Sequence, residues 1–128
     1  MPDKAVTAPP AAPYRWAGDT LYLSGQVGVN ADWVPMNETF KNEARQVFHN
    51  IKTLVEEAGG TLDDVAFVRT YLSDFNDFAV FNEVWSEVFP HNPPARVTIQ
   101  AGLHPPFRLE SEAIADVPQP SIGREDNL

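Results

Sequence analysis

Residues 40–60 read FKNEARQVFHNIKTLVEEAGG, and the apolar positions Phe40, Ala44, Val47, Phe48, Ile51, Leu54, Val55 and Ala58 recur at the three-and-four spacing of one helix face. Lys41, Glu43, Gln46, Lys52 and Glu56 occupy the opposite face, so the helix is amphipathic and packs by one side only. Gly59-Gly60 supplies its stop. Beyond it, VAFVRTYL at 65–72 is rich in β-branched and aromatic residues and bounded by Asp63-Asp64 and Ser73-Asp74, which predicts a central strand. A second, shorter helix is expected over 77–89, with Phe78, Phe81, Val84, Trp85 and Val88 on one stripe, a cap at Asn76 or Asp77, and Pro90, Pro93 and Pro94 behind it. Two strands follow, ARVTIQA at 95–101 and RLESEAIADV at 108–117, joined by a Gly- and Pro-containing loop.

Upstream of the first helix, Thr20 to Val27 is a strand, and Gly18-Asp19 before it signals a hairpin turn. Residues 1–13 hold Pro2, Pro9, Pro10 and Pro13 among small residues, so they are expected as an extended arm. The last residues, PQPSIGREDNL at 118–128, carry no period and are expected to form a mobile tail. The order of elements predicts one α+β domain over 1–117, a sheet with two helices on one face. The other face must meet water or another subunit.

Composition narrows the function. Eighteen acidic against nine basic residues give a formal charge of -9, which argues against nucleic acid as a partner, because that affinity rests on Lys and Arg neutralising phosphates. There is no cysteine, which excludes disulfides, thiolate metal sites and a cysteine nucleophile. His49, His91 and His104 share no ligand spacing, so no metal is expected. No apolar run approaches the ~20 residues that span a bilayer and the first residues lack a signal-like apolar stretch, so the expected location is cytoplasmic.

Alternation puts Arg96, Thr98 and Gln100 on one side of their strand, and Glu110 and Glu112 together on one side of theirs. Were these strands neighbours, an arginine able to grip a carboxylate and a glutamate able to move protons would converge on the sheet face left open by the helices. By pattern alone such residues read first as an ordinary cross-strand pair, Asn82 as a surface amide, and Trp85 with Phe78 and Phe81 as core. The stretch LYLSGQVG at 21–28 adds a question, because Gly25 weakens the strand it interrupts. A bulge or the close approach of a ligand or another backbone explains such a glycine.

With LYLSGQVG, RQVFHNIKTLVEEAGGTLDDV at 45–65, VRTYLSDFNDFAVFNEVWSEVF at 68–89, PPARVTIQAGL at 93–103 and LESEAIA at 109–115 laid out, the chain resembles the reactive intermediate deaminase (Rid, YjgF-like) family. The Pro-Ala-Arg strand followed by Leu-Glu-x-Glu-Ala is the family's signature. The resemblance implies a chorismate-mutase-like fold, a homotrimer with ligand clefts between subunits, and hydrolysis of enamines or imines such as 2-aminoacrylate without a cofactor. It implies that Arg96 binds the substrate carboxylate and Glu110 positions water and shuttles protons. Ser24, Gly25 and Asn82 are implied as substrate-binding. Thr98 stands where many deaminating members carry cysteine, and a hydroxyl still donates a hydrogen bond. Tyr14 follows Pro13 as the family's cleft tyrosine does, though closer to the SGQ segment. Phe107 and Trp16 point either to a larger or more apolar substrate than 2-aminoacrylate or to packing at the trimer interface. The alternative is a trimeric module that binds a small carboxylate or keto acid without turning it over; a protein-interaction role would depend on neither Arg96 nor Glu110.

Overall fold

The computed structural model describes residues 5–120. Strand β1 (Tyr14–Ala17) and β2 (Thr20–Gln26) form a hairpin, followed by α1 (Phe40–Glu57), β3 (Val65–Leu72), α2 (Phe78–Val88), β4 (Ala95–Gln100) and β5 (Leu109–Asp116). The hairpin turns at Gly18, whose φ of 60° suits glycine. In the sheet the order is β1-β2-β5-β3-β4; only β3 and β4 run parallel, with α2 in their crossover.

Thr39 opens α1 by accepting the Asn42 amide on its hydroxyl at 3.0 Å, and Gly59, at φ 100°, follows its end. The stripe read from the sequence is the buried one: Ala44, Val47, Phe48, Ile51 and Val55 sit in a single core with Leu21 and Leu23 of β2, Val68 and Leu72 of β3, and Leu109, Ala113 and Ala115 of β5. Phe48 joins the two helices, with its ring 6.0 Å from Phe81, 5.8 Å from Trp85 and 5.9 Å from Phe89. Both helices therefore lie on one sheet face, as expected.

Three details depart from expectation. The second helix spans Phe78–Val88, one residue shorter at each end than the expected 77–89, and Phe75–Asp77 before it form a separate 3₁₀ turn. Asp77 is the N-cap residue of α2, as expected, but makes no side-chain cap bond; Asp74 caps the 3₁₀ turn, accepting the Asn76 amide at 2.9 Å. Residues 118–120, read as the start of a mobile tail, are instead tied down. Gln119 donates its backbone amide to Asp19 at 3.1 Å and its side-chain amide to the Gly18 carbonyl at 2.8 Å. Residues 121–128 lie outside the described residues, as do 1–4 of the arm.

Glu43, read from the sequence as part of the polar face of α1, is instead a charged group inside the fold. Fully buried on α1, its carboxylate accepts the Arg108 backbone amide at 2.7 Å and Arg108 Nε at 3.0 Å. This fixes the loop before β5 to the first turns of α1.

Candidate functional site

Arg96 lies on β4, an edge strand, opposite Val68 of β3. Paired residues of neighbouring strands share a face, so Arg96 and Thr98 project to the helix side with Val68 and Thr70. There Arg96 Nη2 donates to Asn82 Oδ1 at 2.6 Å. Its guanidinium lies over Trp85 at 5.0 Å, Phe81 at 5.4 Å and Phe78 at 5.8 Å from the ring centroids. Phe81 and Trp85 are core residues that also seat the arginine, whereas Phe78, read as core, is exposed beside it. Burial lowers the Arg96 pKa from its ordinary value, and among the described residues no carboxylate pairs with it. The Oγ1 of Thr98, two residues along the same face, is buried without a hydrogen-bond partner among the described residues. A guanidinium fork and a free hydroxyl are the groups an anionic ligand would satisfy.

Glu110 stands elsewhere. On β5 it pairs with Tyr71, while the flanking Leu109 and Ser111 are buried toward the helices, so Glu110 projects from the open face. The convergence of Arg96 and Glu110 on the open face does not occur within one chain: β3 separates their strands, and alternation sends the two side chains to opposite faces. Glu112, also on the open face, accepts from Tyr71 Oη at 2.5 Å and Arg69 Nη1 at 3.1 Å. Glu110 has no hydrogen bond or ion pair among the described residues. Burial first, and the Glu112 charge second, raise its pKa.

The glycine in LYLSGQVG is explained twice over. The pairing of β2 with β5 slips between Leu23, opposite Ala113, and Gln26, opposite Ser111, which leaves one extra residue on β2 and makes a bulge. A Cβ on Gly25 would collide with the Glu110 carboxylate, whose Cδ lies 3.0 Å from that position. Gly25 is therefore bare because Glu110 occupies the space above it. Ser24 faces the arm, donating its hydroxyl to the Ala12 carbonyl at 2.6 Å and its amide to Pro13 at 2.9 Å.

Tyr14 joins neither group within the chain. Its hydroxyl donates to Glu57 at the end of α1 at 3.2 Å, and its ring meets Trp16 edge to face at 5.6 Å. Trp16 is held in turn by its indole N–H, which donates to the Val117 carbonyl at 2.8 Å. The structure thus assembles two clusters, Arg96 with Asn82 and Thr98 behind the edge strand, and Glu110 with Gly25 on the open face. Sequence reading missed Arg69 and Tyr71, although their alternation with Val68, Thr70 and Leu72 already puts them on the side opposite the core. It also missed Trp33, a non-glycine residue at φ 60°.

The fold is an α+β sheet backed by two helices on one face, with an arginine at its edge and a glutamate on its open face that have no ion-pair partner among the described residues. Residues 6–117 match the family described as endoribonuclease L-PSP. The chain is 39% identical over 111 residues to a RutC family protein of Pyrococcus abyssi, covering 83% of this chain and 87% of that one. It is 38% identical over 125 residues to a 2-iminobutanoate/2-iminopropanoate deaminase of Dermatophagoides farinae, covering 88% and 95%. The crystal structure of RidA from the Antarctic bacterium Psychrobacter sp. PAMC 21119 superposes with a TM-score of 0.81 at 36% identity, covering 88% and 93%. The chain belongs to the Rid family, also called YjgF/RutC or L-PSP.

Proposed function

We propose that this protein is a cofactor-free hydrolytic deaminase of enamine and imine intermediates, working in clefts between copies of a homotrimer. The observation that carries the reading is Arg96: a guanidinium half-sunk among aromatics, oriented by Asn82 and lacking a carboxylate partner among the described residues. A carboxylate-bearing substrate supplies that partner. Because Glu110 lies on the other face, a second copy must bring its Glu110 and Gly25 to the first copy's Arg96. The family membership and the relative named as an imino-acid deaminase support the same reading.

The chemistry needs few groups. The enamine tautomerises to an imine, and Arg96 holds its carboxylate. Glu110, as carboxylate, takes a proton from water as its oxygen bonds to the imine carbon, then returns that proton to the nitrogen of the resulting carbinolamine. The carbon–nitrogen bond then breaks as the carbinolamine hydroxyl passes its proton by way of the Glu110 carboxylate to the leaving nitrogen, releasing ammonia and leaving a 2-keto acid. The ribonuclease description of the family fits this chain poorly, since its charge of -9 opposes a phosphate backbone.

A second reading follows from the separation of the clusters. The anion clamp is complete without Glu110, which suits a module that binds a small carboxylate without turnover. Ammonia and keto-acid release from freshly generated 2-iminopropanoate decides between them. A deaminase accelerates release above the spontaneous rate and loses this with Arg96→Ala and with Glu110→Ala. Carboxylate binding that persists in Glu110→Ala, with no acceleration by wild type, identifies the binding module.

A further inference from the structure

A cavity of about 590 Å³ lies between the arm, the bulge at Ser24–Gln26, the loop around Trp33 and the outer side of α1. Gly25 belongs to its wall and also abuts Glu110, so one residue separates the cavity from the proposed acid-base group. Its size falls within the ~300–1,000 Å³ of sites that enclose whole small molecules, whereas the side chain of a three-carbon imino acid is a single methyl group.

Carbon makes up the larger part of its lining, with Ser24, Asn30, His49 and Thr53 among the polar side chains that also reach it. Pro9, Ala12, Val29 and Leu54 contribute carbon surface, and Trp33 contributes an indole. The amides that reach it are committed elsewhere: Gln46 donates to Asn50 at 2.8 Å, Asn50 donates to the Val29 carbonyl at 2.9 Å, and Gln26 donates to the Ser24 carbonyl at 3.0 Å. Trp33 is held there against its own preference, since φ 60° is comfortable for glycine and strained for a bulky residue. The loop enforces it. Trp33 donates its amide to the Asn30 carbonyl at 2.9 Å and accepts the Val6 amide at 2.8 Å. Asn30 Oδ1 accepts the amides of Asp32 at 2.9 Å and Val34 at 3.0 Å. The same bond from Val6, with those from Ser24 to Ala12 and Pro13, lays the arm across the cavity as its cover.

We infer that this cavity receives the side chain of the substrate, that the substrate is an imino acid bearing an aromatic side chain, and that Trp33 selects it. The inference rests on the deaminase reading and adds to it a substrate class and a specificity-determining residue. Phe107 and Trp16, from which the sequence suggested a larger or more apolar substrate, do not line the cavity, and Trp16 is bonded to Val117.

The test compares kcat/KM for 2-imino-3-phenylpropanoate and 2-iminopropanoate, each generated in place by an amino-acid oxidase, in wild type, Trp33→Gly and Trp33→Phe. Glycine removes the indole while relaxing the backbone, which guards against misfolding. Wild type is expected to favour the phenyl substrate by about ten-fold or more, a ratio that collapses in Trp33→Gly and is largely restored in Trp33→Phe. A wild-type preference for the methyl substrate, or a ratio unmoved by Trp33→Gly, overturns the inference. Should wild type accelerate neither substrate, the deaminase reading has failed by itself, and calorimetry with phenylpyruvate and pyruvate then decides the cavity. Tighter phenylpyruvate binding that depends on Trp33 supports it; equal binding of the two, or none, overturns it.

Discussion

Arg96 and Glu110 answer substitution differently because their surroundings differ. Arg96 presents a planar fork oriented by Asn82 and seated on three rings. Lysine keeps the charge but loses both the fork and the stacking, so Arg96→Lys is expected to raise KM by about ten-fold or more with a smaller change in kcat, as steady-state kinetics would show. Glu110 has a raised pKa, through burial first and Glu112 second. Its charged form is thus less favourable folded than unfolded, so it costs stability once pH passes the unfolded pKa, and that cost saturates above the raised folded pKa. Glu110→Gln should therefore raise Tm at neutral pH, with the gain vanishing near pH 3, below the ordinary carboxyl range of about 4.3. A gain undiminished at that acidity would show that ionisation is not its source. For catalysis by the carboxylate form, Glu112→Gln removes the second cause of the shift and also unpairs Arg69. The acid limb of the kcat profile is expected to move to lower pH. At this scale the sequence named both residues but misjudged their faces, because the strand order that separates β4 from β5 is set by long-range pairing that no local pattern records.

Among elements, the contact of α1 with α2 carries the core. Phe48 meets Phe81, Trp85 and Phe89, so Phe48→Ala is expected to cost about 3–5 kcal/mol in urea unfolding, since the ring leaves a cavity the neighbouring rings cannot fill. The buried carboxylate of Glu43 joins α1 to the loop before β5 through Arg108. Arg108→Ala leaves it the backbone amide alone and is expected to cost about 1–3 kcal/mol in the same assay, with the Arg108 head partly in water setting the lower end. The helix at 40–58 was legible because eight apolar residues repeat on one face and two glycines close it. The start of α2 was less so. Asp74 caps the 3₁₀ turn and Asp77 begins α2 behind it, and a 3₁₀ turn whose hydrogen bonds span only a few residues leaves no apolar period to read.

For the molecule as a whole, the uncovered sheet face matters. Val97 and Ile99 project from β4 with 43% and 40% of their surfaces exposed, and Tyr22 is similarly bare on β2. Apolar residues left open on the face that carries Glu110 suit contact with further copies of the chain. The mass in solution is expected to be about three times 14.2 kDa, and Ile99→Lys is expected to lower it and to abolish turnover together, as light scattering and the ammonia assay would show. Neither the proposed trimer nor the proposed pairing of Arg96 with a second chain's Glu110 can be read from one chain's periodicities, which report only which side of a strand is dry.

The place of β5 has a consequence for how the protein is made. β2 has only β1 and β5 as ladder partners, and β3 only β4 and β5, so without its last strand the sheet is two unconnected pieces. Leu21 waits for Ala115 and Val68 for Ala113. On the ribosome, the hairpin and the β3–α2–β4 unit emerge with their shared seam empty, and cooperative closure must wait until residues 109–116 clear the exit tunnel.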